Sequence, residues 1–118
     1  MSVTLKRAYE PPGKQDGARI LVDGLWPRGL SKEKLKIDTW IKEIAPSPQL
    51  RNWYGHRPER WEEFRTRYRS ELAQLPRAAL VSELAARARK ERVTLVFAAR
   101  DAEHSNAKVI LEKMREKA

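Results

Sequence analysis

Apolar and polar positions alternate from Val3 to Ala8, with Thr4 and Lys6 between Val3 and Leu5, and this period of two predicts a first, short strand. Arg19-Ile20-Leu21-Val22-Asp23 is instead a nearly unbroken aliphatic run, the pattern of a strand covered on both faces. Val93-Thr94-Leu95-Val96-Phe97-Ala98 repeats that pattern seventy residues later. Between them the spacing turns helical. Trp61, Phe64, Tyr68, Leu72 and Leu75 step by three, four, four and three as one continuous stripe. Leu80, Leu84, Ala85 and Ala88 make a second, alanine-rich face, and Ala107, Ile110, Leu111 and Met114 a third.

Start and stop signals bound these elements. Ser31 can cap a turn over Lys32–Lys36, Asp38 a helix through Ala45, and Ser47 with Pro48 at the first helical position a helix into Trp53 and Tyr54. Pro46, Pro58 and Pro76 punctuate the rest. The expectation is an α/β fold in a single domain over residues 1–118. A small sheet holds two buried strands, about 20–23 and 93–98, plus the short N-terminal strand. Helices at 38–45, 48–54, 58–75, 77–90 and 104–117 pack around it.

The two buried strands are joined by about seventy residues of mostly helical pattern, so within one sheet they run parallel. The loop Glu10–Gly17 is too short for a helical crossover. The first strand is therefore either an antiparallel neighbour of the second or not its neighbour. Parallel strands end on one edge, and ligands of open α/β sheets bind just beyond it. Asp23 and Arg28 should therefore meet Arg100, Asp101, His104, Ser105 and Asn106 in one crevice.

The loop between Asp23 and Leu30 is tightly specified. Pro27 fixes its own φ and pushes Trp26 out of the helical region, and Gly29 permits a positive φ. A rigid loop carrying a guanidinium suits a clamp on phosphate or carboxylate, which is the role expected of Arg28; its bland alternative is an ion pair with Asp23. Asp23, at the end of an apolar run, is expected to move a proton or anchor a ligand, unless it pairs with Arg19 or Arg28. His104 is the second candidate for proton transfer, at the third position of a last helix capped by Asp101. Trp26, Arg28, His56, Arg100, Asp101 and Asn106 are expected to contact the bound molecule. Whether the chain turns that molecule over, the residues leave open.

Charge changes the picture in one respect. Lys and Arg number 25 against 16 Asp and Glu, a formal net charge of +9. Residues 1–59 carry 11 basic and 7 acidic groups, and residues 60–118 carry 14 and 9, so the excess forms no tail. Such a charge attracts polyanions and makes nucleic acid the alternative partner. The arginines at 57, 60, 65, 67 and 69 are interleaved with glutamates, however. Glu62–Arg65 and Glu63–Arg67 have the spacing of local pairs, so a solvated helix face is expected. A third reading is a protein-interaction domain without chemistry.

With no cysteine there is no disulfide, thiolate zinc site or thiol nucleophile. Two histidines make a poor metal set, and no metal or cofactor is expected. The residues show no Walker or dinucleotide glycine loop and no serine-hydrolase elbow. No apolar segment approaches a membrane span, so a cytoplasmic protein is expected.

Four segments carry a resemblance: Arg-Ile-Leu-Val-Asp-Gly-Leu-Trp-Pro-Arg-Gly-Leu at 19–30, Ala-Pro-Ser-Pro-Gln-Leu-Arg-Asn-Trp-Tyr-Gly-His at 45–56, Pro-Glu-Arg-Trp-Glu-Glu-Phe-Arg-Thr-Arg-Tyr at 58–68, and Val-Thr-Leu-Val-Phe-Ala-Ala-Arg-Asp-Ala-Glu-His-Ser-Asn-Ala at 93–107. In these the chain resembles the YeaO-like family, a branch of the domains of unknown function numbered 488. The resemblance implies a small α/β protein with Asp23, Trp26, Arg28, His56, Asp101, His104 and Asn106 at motif positions, and implies no reaction. Two departures stand out. The family pattern has arginine after the aspartate, where this chain has Gly24, and asparagine before the last asparagine, where it has Ser105.

Overall fold

A computed structural model describes residues 1–117. Four strands form one sheet: β1 (Val3–Arg7), β2 (Ala18–Leu21), β3 (Thr39–Trp40) and β4 (Val93–Phe97), in the order β1-β4-β2-β3 and parallel throughout. The two aliphatic runs lie side by side, with Ala18 opposite Val93 and Leu21 opposite Val96. β1 is not a neighbour of β2. The last strand in sequence is inserted between them, with Val3 opposite Val93 and Arg7 opposite Phe97.

Among the described residues five α-helices accompany the sheet: α1 (Lys32–Leu35), α2 (Pro48–Tyr54), α3 (Trp61–Leu72), α4 (Arg77–Lys90) and α5 (Asn106–Arg115). They cover the sheet unequally. Ile20, Val22, Val93, Leu95 and Phe97 belong to the large core with the apolar faces of α2 to α5. The alternate residues Leu21 and Val96 meet only a thin cover, made of Ala8, Leu35, Ile37, Leu30, Trp26 and Trp40. Chain leaving β2 thus enters the thin side through α1, whereas chain leaving β4 enters the thick side through α5. That divergence opens a crevice at the strand ends.

Three expected elements are corrected. No α-helix covers 38–45; Thr39–Trp40 is an edge strand, followed by a 3-10 turn at Lys42–Ile44. Asp38 caps no helix there. Its backbone N–H donates to the Arg19 carbonyl at 2.8 Å, its Oδ2 accepts from the Arg19 N–H at 2.8 Å, and Ile41 N–H reaches the Leu21 carbonyl at 2.9 Å. Ladder bonds to β2 outcompete the capping signal.

The helix expected at 58–75 begins as a 3-10 turn at Pro58–Arg60 and ends at Leu72. Its stripe is buried from Trp61 to Leu72, but Leu75 is 79 % exposed. Leu75 precedes Pro76, whose ring disfavours helical backbone at that position. The terminal helix starts at Asn106, not 104. Ser105 caps it by accepting from Lys108 N–H, while Asp101 caps a separate 3-10 turn, Ala102–His104, by accepting from Glu103 N–H. Among the described residues no helix is long and apolar enough to cross a membrane.

Candidate functional site

The β2–β4 ladder ends in side chains. Val22 N–H still donates to the Val96 carbonyl at 3.1 Å. Beyond it Ala98 N–H donates to Asp23 Oδ2 at 2.8 Å, and the Val22 carbonyl accepts from Asn106 Nδ2 at 3.1 Å. Two backbone groups that the diverging strands would orphan are thus satisfied by Asp23, just past β2, and Asn106, the first residue of α5. The Asp23 main-chain carbonyl also accepts from Trp40 Nε1 at 2.7 Å.

Above this point lies a cleft of about 480 Å³. Asp23, Trp26, Arg28, His56, His104 and Asn106 all line it. Arg100 and Asp101 line an adjoining cleft of about 390 Å³, which shares Tyr54, His56, Ala98, Ala99 and His104 with the first. Residues eighty apart in sequence are therefore brought to one place, with Arg100 and Asp101 one step to the side.

Burial pushes the Asp23 carboxyl above the ordinary aspartate range; the Ala98 N–H, the Asn106 amide and the charge of His56 oppose that shift without cancelling it. Neither expected partner pairs with it. Arg19 instead bonds Asp16 and the carbonyls of Leu35 and Lys36. Arg28 is held through its main chain, whose carbonyl accepts from Tyr9 Oη at 3.0 Å. Among the described residues Asp23, Arg28, Arg51 and Arg100 take part in no ion pair.

The loop carrying Arg28 is fixed as its prolines and glycines imply. Pro27 is buried, Gly29 has φ of +83°, and Leu30 N–H closes a turn onto the Pro27 carbonyl. Trp26 spends its indole N–H on the Leu30 carbonyl at 2.6 Å and meets Trp40 edge-on, so only its ring is available to the cleft.

On the β4 side, His104 Nδ1 lies 2.5 Å from Asp101 Oδ2 and its ring stands edge-on to Trp61 at 5.1 Å. Hydrogen bonding to His104 holds the exposed Asp101 carboxyl below its usual range. This pairing orients the imidazole and leaves Nε2 as the ring nitrogen not engaged by Asp101. Tyr54 Oη donates to the His104 carbonyl at 3.0 Å and ties the turn to α2. His56 follows Gly55, and both adopt positive φ, +56° and +52°. For a histidine this left-handed backbone is uncommon, and it sits on the wall shared by the two clefts.

Sequence reasoning missed Arg51 and Tyr9, both lining the cleft. Arg51 projects from α2 so that its Nη1 is 3.9 Å from where a β-carbon on Gly24 would stand. Tyr9 lies just past β1, and the parallel pairing of β1 with β4, which the sequence left undecided, delivers it to the same edge.

The arginines of α3 are engaged elsewhere. Arg65 and Arg69 pair with Glu112, and Arg69 also with Glu116. Arg65 therefore does not pair with Glu62 as its spacing suggested, whereas Arg67 does pair with Glu63. Arg60 and Arg67 stack on Trp53, with guanidinium carbons 5.0 and 4.6 Å from the ring centre.

The molecule is a small parallel α/β fold whose strand ends open into a cleft lined by charged and apolar side chains. Residues 2–118 match the family model described as "Inactive DUF488-N3 subclade", and the chain belongs to this family. It is 39% identical over 115 residues to the uncharacterised protein YeaO of Escherichia coli, covering 98% of each chain. To uncharacterised proteins of Mycobacterium tuberculosis and Mycobacterium bovis it is 40% identical over 110 residues, covering 93% of this chain and 91% of theirs. No solved structure matches the chain.

Proposed function

We propose that this protein binds an anionic, phosphate-bearing small molecule in the strand-end cleft. The observation that carries this reading is the pair of guanidinium groups, Arg28 and Arg51, that line one cleft and have no carboxylate partner among the described residues. One guanidinium on a rigid loop and one on α2 suit bidentate capture of phosphate oxygens. Trp26, His56 and Asn106 line the same space and would contact the body of the ligand. Arg100 and Asp101 flank the neighbouring cleft, where a longer ligand would extend.

The family description "inactive" favours binding over turnover. Asp23 and His104 then act as hydrogen-bonding groups rather than as proton-transfer groups. The nucleic-acid alternative draws less support, because the α3 arginines are occupied by glutamates and Trp53.

A thermal-shift screen across nucleotides and sugar phosphates tests the reading. A true ligand should raise Tm in a concentration-dependent way. Arg28→Ala should weaken it about tenfold or more, the scale of a lost charge-assisted hydrogen bond. Unchanged affinity in that variant for every ligand found would end the clamp assignment.

A further inference from the structure

We infer that the molecule bound in this cleft is a zwitterion: besides its anionic group it carries a cationic nitrogen, an ammonium or amidinium, that pairs with Asp23. The inference rests on the anion-binding reading above and adds the second half of the ligand.

Asp23 lines the cleft with one backbone donor, Ala98 N–H, on Oδ2, and with the Asn106 amide beside it. The charge of His56, in the same cleft, acts on it, but no lysine, arginine or histidine forms an ion pair with it among the described residues. A desolvated carboxylate ordinarily carries a cationic partner. This chain follows that rule at Asp16, which holds both Lys6 and Arg19. Arginines are also within the same cleft, yet Arg28 and Arg51 stay apart from Asp23. The cleft thus presents separated, mutually unpaired charges of opposite sign. The same cleft is also lined by the apolar side chains of Leu25, Trp26, Pro46 and Phe64. The complementary molecule has an apolar body with an anion at one end and a nitrogen cation at the other.

Two probes of nearly equal shape separate the halves of the claim: p-tolyl phosphate and 4-(aminomethyl)phenyl phosphate, titrated into the full-length protein by calorimetry. The ammonium compound should bind about tenfold or more tightly, as expected for a charge-assisted hydrogen bond in a partly dry site. In Asp23→Asn the two affinities should converge to within about twofold. Residual binding of p-tolyl phosphate to that variant reports that it is folded.

Equal binding of the two probes by the natural protein overturns the zwitterion while leaving anion binding in place. So does a preference that survives in Asp23→Asn. If neither probe binds, the anion-binding reading fails first and the inference falls with it.

Discussion

The two ends of β2 each carry an aspartate, and the chain treats them in opposite ways. At the N-terminal end Asp16 takes Lys6 Nζ at 3.1 Å, Arg19 Nη1 at 2.7 Å and the Gly13 N–H at 2.9 Å. Burial alone would push its carboxyl up, but these bonds outweigh it and hold the carboxyl below the usual range. Arg19, only 4 % exposed, continues the network to the carbonyls that end α1. At the other end Asp23 has no ion-pair partner among the described residues, and burial raises its carboxyl against the opposing charge of His56. One end is closed on itself; the other keeps charges that form no ion pair among the described residues. That contrast separates a carboxylate that holds the fold from one available to a partner.

The largest effect should come from the closed end. Gly17 has φ of +65°, and a β-carbon there would lie 2.3 Å from the Arg92 carbonyl oxygen. Gly17→Ala combines backbone strain with a clash against main chain, so a loss of about 4 kcal/mol is expected in urea unfolding. Asp16→Ala strands the buried guanidinium of Arg19 and should lose about 3 kcal/mol. If either variant unfolds at the natural midpoint, the closed end is not what holds β2.

Asp23→Asn should go the other way, with a gain of about 1 kcal/mol at pH 7, since it removes a desolvated charge and keeps an acceptor for Ala98 N–H. Its pH dependence sharpens the contrast. Because the folded Asp23 carboxyl sits above its unfolded value, stability attached to its protonated form is lost as pH rises through that raised value. The gain in Asp23→Asn therefore appears as pH climbs and vanishes in acid. The Asp16 carboxyl sits below its unfolded value, so its contribution is present above the ordinary aspartate range and disappears as pH falls through the folded value. Thermal melts of the two variants across acid and neutral pH should diverge from the natural protein in opposite directions and converge with it in acid.

Much of this was legible in the residues. Two aliphatic runs with helical chain between them dictate parallel strands, and parallel strands dictate a shared edge; hence Asp23 and His104 line one cleft. What escaped was set by tertiary partners. Thr39–Trp40 is too short to show a period, and its strand state depends on β2. Arg51 reaches the cleft from a helix whose sequence gives no direction for its polar side. Tyr9 was hidden because a short polar loop leaves the placement of β1 undecided. Asp101 looked like a helix cap and caps a preceding turn, because Ser105 stands one residue before α5 and takes that role.

The insertion of β4 between β1 and β2 also governs how the molecule is assembled. Neither β1 nor β2 has its main partner until Val93–Phe97 has been made, so during synthesis the first ninety or so residues expose two unzipped strand edges. Closure then joins segments far apart along the chain in one step, the kind of long-range pairing that slows folding. A nascent chain of this protein must be kept from its neighbours until its last strand leaves the ribosome.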